Sequence, residues 1–274
     1  MKQHNISLKK LLGWTLVAGA ALAAAPARAD DVAALLRAAD RFRMNADNLQ
    51  VETQINVFNA DGSPDKERRY TVLAQARHQS LVLMQSPAEK GQKVLMLGDD
   101  FWLLMPGTQR PLRITPMQKL LGDASTGDVA TLSWSEDYTG TLVGDEPCRD
   151  PAAPTALAAP TARPAPAAGP LLCQHLSLSA VRRGVSYQRI ELWLGKARHE
   201  PVRAELYVQS DKLAKQARFV VDNPGAPTQV TEMVLQDQLS NHKETRVRYL
   251  SRKERTVPES WLNPMFLARN PALE

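Results

Sequence analysis

The sequence lacks the patterns by which most reaction centres are recognised. It has no Gly-x-Ser-x-Gly elbow, no His-Glu-x-x-His pair, no glycine-rich phosphate loop and no Cys-x-x-Cys, so hydrolase, zinc-peptidase, nucleotide and dithiol chemistry lose their usual signatures. Aromatic residues are scarce, at 5%. Beyond the first 29 residues no apolar run approaches the length of a membrane span. Basicity is also missing once the N-terminus is set aside. The whole chain carries 34 − 29 = +5, but residues 1–29 hold Lys2, Lys9, Lys10 and Arg28 and no acid, leaving 30 − 29 = +1. A nucleic-acid partner is therefore not expected.

The residues that could do chemistry are thinly spread. His78, His175, His199 and His242 stand apart from one another and read as surface imidazoles. Glu136-Asp137 is the nearest approach to paired carboxylates, yet neighbours on a strand point to opposite faces. No catalysis, no metal and no cofactor are expected. The basic residues Arg246, Arg248, Arg252, Lys253 and Arg255 alternate as the solvated face of a strand, with an acidic partner or anionic surface as the alternative.

What is present begins with a leader. Lys2, Lys9 and Lys10 precede the apolar stretch Leu11 to Ala25, and Ala27-Arg28-Ala29 supplies a small-residue cleavage site before Asp30. This is the pattern of a secretory signal peptide over residues 1–29. The mature chain, 30–274, is then expected to be a soluble exported protein forming a single domain. In an oxidising compartment Cys148 and Cys173 are expected to pair. The bridge would close a loop worth roughly 3–4 kcal/mol in the chain-entropy model. Between the cysteines, 149–170 is little but Ala and Pro, which cannot build a core and reads as a surface insertion.

The stretch Gln92 to Leu121 organises the rest. Val94 to Leu97 and Phe101 to Met105 are short apolar runs separated by Gly98-Asp99-Asp100, a hairpin. Both are apolar at every position, so one face meets the core and the other is expected to meet something else apolar. Upstream, Val32, Leu35, Leu36, Ala39 and Phe42 keep helical spacing, predicting a helix over Asp31 to Asn45. From Leu49 the period changes to two, through Val51, Thr53, Ile55 and Val57, with a turn at Asn59 to Pro64. Thr115-Pro116 is a plausible helix start, predicting a short helix from Met117 to Leu121. Asp128 to Trp134 is expected to be helical or irregular. Alternation returns after the insertion. About eleven strands in all, and a closing turn at Pro258 to Leu262 with Trp261 as a plug, suggest a mainly β fold with a few helices. A curved antiparallel sheet or open barrel is the first reading and a closed sandwich the second.

The helix after the leader, the KGQKVLMLGDDFWLLMPGTQRPLRI stretch, the later YQRIELWLGKARHEPVRAELY and the closing VPESWLNPMFLARN together resemble the outer-membrane lipoprotein-sorting family related to LolA. The most specific pieces are Trp102 to Pro106 and Arg189 to Trp193. The resemblance implies an open half-barrel with a helical lid, an apolar cavity for acyl chains and no catalysis. It implies a periplasmic carrier of lipoprotein or lipid cargo, taking it from an inner-membrane transporter toward an outer-membrane acceptor. A lipid-sensing module that signals through an inner-membrane partner is the alternative. Adaptable thioethers and large rings suit such a cavity. The candidate lining is Phe42, Met84, Met96, Phe101, Trp102, Leu103, Met105, Leu120, Trp134, Trp193 and Met233. The helix Asp31 to Asn45 and the segment 116–134 are the expected lid.

Overall fold

A computed structural model describes residues 29–130, 133–148, 172–237 and 242–269. Apart from Ala29, the expected leader 1–29 lies outside these residues, as does the Ala/Pro-rich stretch 149–170. Among the described residues no helix is long and apolar enough to cross a membrane.

Two meanders meet to make one sheet. The first runs through β1 (Leu49–Asn59), β2 (Pro64–Gln75), β3 (Gln79–Met84), β4 (Lys93–Leu97), β5 (Asp100–Leu104) and β6 (Leu112–Ile114). After a small hairpin of β7 (Lys119–Leu121) and β8 (Ala124–Ser125), the second runs through β9 (Tyr138–Pro147), β10 (Leu172–Ala180), β11 (Arg189–Gly195), β12 (Pro201–Tyr207), β13 (Leu213–Val221), β14 (Val230–Asp237) and β15 (His242–Glu254). The first and last strands pair antiparallel, Ile55 opposite Val247, which joins the meanders into a 13-stranded sheet with β6 and β9 at its edges. The sheet is curved and does not close. Register shifts recur along it, at Glu52/Thr53 against β15, at His175/Leu176 against β9 and at Trp193/Leu194 against β12. Such irregularities bend the strand that carries them and let a wide sheet curl.

The chain must travel from β6 at one edge to β9 at the other, and residues 115–137 make that crossing. They carry β7, β8 and the short helix α2 (Thr126–Ala130). The N-terminal helix α1 (Ala29–Asp40) joins them on the same side. This is the helical lid over an open half-barrel.

Three local expectations are corrected. The first helix ends at Asp40, where a turn begins with Arg43 and Met44 both donating to the Asp40 carbonyl, rather than running to Asn45. Met117 to Leu121 is not a helix. Thr115 opens a turn closed by Gln118, and β7 then pairs with β8 around Gly122, whose φ of +56° suits a residue without Cβ. The side chain of any other residue there would also meet Val57 and Thr245. The estimate of about eleven strands undercounts the 13 of the main sheet, because the shortest, such as β6, are three residues long.

Both faces of the first meander are apolar, as the Gln92 to Leu121 pattern required, and the second face is covered by the protein itself. Leu73, Leu81, Leu83, Leu95 and Leu104 are covered by Val257, Leu262 and Leu267 from the chain's own C-terminal segment, with Trp261 packed against them. Lys93 lies beneath this cover, 4% exposed, and its ammonium donates to the carbonyls of Leu267 (2.9 Å) and Arg269 (3.2 Å). Desolvation pushes its pKa down.

Candidate functional site: the lidded inner face

The inner face is set by alternation. Val51 and Ile55 of β1, Tyr70 and Val72 of β2, Leu176 and Leu178 of β10, Ile190 and Leu192 of β11 and Met233 and Leu235 of β14 are buried together. The lid closes over them with Val32, Leu36 and Ala39 from α1, then Ala124, Val129, Ala130 and Trp134 from the crossing segment. Trp134 meets Phe219 edge-on, ring centroids 5.5 Å apart, and the Arg43 guanidinium lies 4.1 Å over its other ring surface.

This interior is nearly full. A cavity beneath Trp134, between Tyr138, Tyr187, Leu206 and Met233, measures about 50 Å³. Ligand pockets usually offer roughly 300–1,000 Å³. Within the inner cluster the lid's own side chains fill most of the space between lid and sheet. A larger recess of about 310 Å³ opens at the mouth, between the end of α1, the β2–β3 turn and residues 133–137.

The lid is tied down by charge. Asp128 of α2 and Lys215 of β13 are both buried, Nζ to Oδ2 2.6 Å, and Asp128 also accepts from the Ser125 amide and hydroxyl (2.8 and 2.7 Å) and the Tyr187 hydroxyl (2.7 Å). Burial alone would push this carboxyl up, but Lys215 and these hydrogen bonds hold it below the usual carboxylate range. Burial and the Asp128 charge push Tyr187 well above an ordinary phenol. Asp40 at the end of α1 accepts from the amides of Trp134 and Ser135 (2.8 Å each) and the Ser133 hydroxyl (3.1 Å), so the two lid segments are coupled. Asp137 is fully buried. Its Oδ1 accepts from Arg182 (2.6 Å), and the His78 ring lies 3.4 Å from both Asp137 and Glu136. Burial outweighs the neighbouring Arg182 and raises the Asp137 pKa.

The sequence candidates divide between the two faces. Met84, Met96, Phe101, Trp134 and Met233 are buried in the inner cluster, and Leu103 and Leu120 pack against it. Trp102 packs against the outer cluster beneath the C-terminal segment. Trp193 also lies apart, beside the disulfide Cys148–Cys173 and stacked on His175 with ring centroids 4.2 Å apart. Met105 is partly exposed at the end of β5, and Phe42 is half-buried, its carbonyl accepting from Val230.

Sequence reasoning missed the polar ties. His78 is not isolated: its φ of 55° in the β2–β3 turn presents the ring to two carboxylates. Glu136-Asp137 lies in a turn ahead of β9, not on a strand, so both carboxylates reach one imidazole. His175 bridges Glu146 (2.9 Å) and Glu191 (2.8 Å). The basic stretch of β15 is largely occupied, Arg248 by Glu232, Arg252 by the Val230 carbonyl and Arg255 by Gln50. One signal was available: Lys215 falls at an inward position between Leu213 and Ala217 on an alternating strand.

The model of a family described as uncharacterized protein-like matches residues 76–269, more than half of the chain. The chain belongs to this family, and its fold is LolA-like. A LolA superfamily protein from Nitrosomonas europaea is 28% identical, with 84% of this chain and 96% of that one covered and a TM-score of 0.69. A putative outer membrane lipoprotein-sorting protein domain from Vibrio parahaemolyticus is 16% identical, covers 88% and 100% of the two chains and has a TM-score of 0.64. A DUF1329 family protein from Desulfovibrio piger is 17% identical over 86% and 97%, with a TM-score of 0.63. The last two share the LolA-like fold. No curated protein matches the chain.

Proposed function

We propose that this LolA-like chain is a periplasmic carrier that shelters the acyl chains of lipoproteins or lipids on its inner face and moves them toward the outer membrane. In this reading the leader is removed near Ala29, the protein is not an enzyme, and cargo passes from an inner-membrane transporter to an outer-membrane acceptor. The observation that carries the reading is the lid itself. A wide apolar face is covered by two segments outside the sheet, whose side chains fill the space a ligand would take.

Magnitudes favour exchange. Burying an apolar side chain such as Leu36, Val129 or Trp134 contributes about 1.5–3 kcal/mol, and an acyl chain contributes about 0.8 kcal/mol per methylene. A long chain thus matches the handful of lid residues it would displace. A near balance lets cargo both load and leave. The test is native mass spectrometry with lipid extraction on protein isolated gently from its own periplasm, together with uptake of a fluorescent fatty acyl probe by the emptied protein. The reading expects a co-purifying acylated protein or lipid, and probe uptake. An empty protein that takes up no probe would make the inner face ordinary core.

A further inference from the structure

The recess at the mouth differs from the interior behind it. Its floor is apolar and continuous with the inner cluster: Met96 and Ala130 belong to both, and Met44 and Ala46 pack against that cluster. Its walls are charged. Glu136 and Asp137 come from the segment ahead of β9; the end of α1 and the stretch after it bring Arg37 and Arg41, both exposed, together with Asp40, already bonded to the 133–135 segment, and Asp47. Among the described residues neither arginine has an ion-pair partner, whereas most of the arginines on the sheet do.

The acidic wall is one cation short. Asp99 and Asp137 share a single guanidinium, Arg182 (2.7 and 2.6 Å), while Glu136 meets only the His78 imidazole, which lies beside Asp137 as well. Asp137 is fully buried and lines the recess. Its Oδ1 carries the Arg182 and His78 contacts, and its Oδ2 has no hydrogen-bond partner among the described residues. A buried carboxylate oxygen left unpaired costs free energy that a donor would recover. An ammonium supplies three donors and the missing charge.

We propose that this recess is a headgroup site for an aminophospholipid: the ammonium bonds Asp137 Oδ2 and Glu136, the phosphate lies between Arg37 and Arg41, and the acyl chains pass over Met96 and Ala130 under the lid. Arginine suits the phosphate because its planar fork offers paired donors, and the exposed end of α1 leaves both side chains free to reach it. The recess volume falls within the range of small-molecule sites. This deepens the carrier reading and rests on it, naming the head that accompanies the chains.

The test uses the full mature chain and soluble short-chain probes: dioctanoyl phosphatidylethanolamine, dioctanoyl phosphatidylglycerol, dodecylamine and dodecanoic acid. The phosphoethanolamine lipid should bind roughly tenfold or more tighter than the phosphoglycerol lipid, the factor a charge-assisted hydrogen bond carries. Glu136→Gln, on the exposed rim, should shrink that preference, and Asp137→Asn should abolish it. Arg37→Gln with Arg41→Gln should weaken both phospholipids while leaving dodecylamine unchanged, which separates phosphate from ammonium recognition. Should Asp137→Asn fail to fold, the Glu136 and arginine variants decide alone. Equal binding of both phospholipids and dodecanoic acid overturns the headgroup site and leaves the carrier standing. Binding of none of the four overturns both.

Discussion

The same sheet is covered twice, and the two covers are built differently. On the outer face the C-terminal segment lays Val257, Leu262 and Leu267 on the leucines of β2 to β5, and its polar tie is Lys93 bonded to two carbonyls. On the inner face the lid brings its own apolar side chains, but it is fixed by carboxylates: Asp128 on Lys215, Asp40 on the 133–135 amides, Asp137 on Arg182. The outer cover completes a core. On the carrier reading the inner cover is the separable one, because ionic and hydrogen-bonded ties hold only in one geometry and contribute little once that geometry is lost. An apolar face that must open and close is better served by the second arrangement.

The largest effect is expected where the comparison is most easily broken. Lys215→Met leaves Asp128 buried without its cation and should destabilise the protein by about 3–5 kcal/mol, read by denaturant melts. Adding Asp128→Asn should restore part of the loss, because the amide oxygen can still accept from Ser125 or Tyr187 and no buried charge is left without its partner. If the single variant melts like wild type, the lid is not held by this pair. Next, Cys148→Ser with Cys173→Ser removes a bridge between residues 25 apart in sequence, worth roughly 3–4 kcal/mol in the chain-entropy model. The cysteines cluster with Trp193 away from the inner face, so probe affinity should not move.

A smaller loss separates the covers. Leu267→Ala trims the outer cover and should lower stability by about 2 kcal/mol with probe uptake unchanged. Leu36→Ala trims the inner one and should lower stability similarly while speeding uptake. Equal behaviour of the two variants would erase the distinction between permanent and movable cover.

The smallest effect is in pH. The Asp128 carboxyl is held below its unfolded value, so its contribution is complete above about pH 4 and is lost as the pH falls below that. Asp137 has the opposite sign: raised by burial, it takes its proton more readily when folded, so its unfavourable charge is relieved as the pH falls toward about 4. The stability difference between wild type and Asp128→Asn should therefore be constant from pH 7 to about 5 and shrink below 4. A difference that grows in acid would contradict the sign.

Particular residues show what could be read beforehand. Val51, Ile55, Ile190 and Leu192 alternate so regularly that strand, face and burial follow from period two alone, and the pairing of Cys148 with Cys173 was expected from there being two cysteines behind a leader-like N-terminus. The crossing segment did not yield to the same reading. Thr115-Pro116 carries a helix-start signal, but the left-handed Gly122 that follows turns the chain back, and Lys119 to Leu121 pairs with Ala124-Ser125 as a hairpin instead. Trp102 and Trp193 belong to other clusters because aromatic size says nothing about which face a strand position takes. Asp137, His78 and Arg182 meet only because the curved sheet brings the β2–β3 turn against the start of β9, a juxtaposition invisible to local pattern. The second apolar face of Phe101 to Met105 was legible, but what covers it was 150 residues away.

The lid's movement is the centre of the account, and one measurement addresses it directly. A cysteine pair placed across the contact between α2 and β3 would lock the lid when oxidised, with each single-cysteine variant and the wild type treated identically as controls. Fluorescent acyl probe uptake is then followed with time. The account predicts that the locked protein takes up no probe while the controls load normally. Loading at the wild-type rate with the lid locked would contradict it.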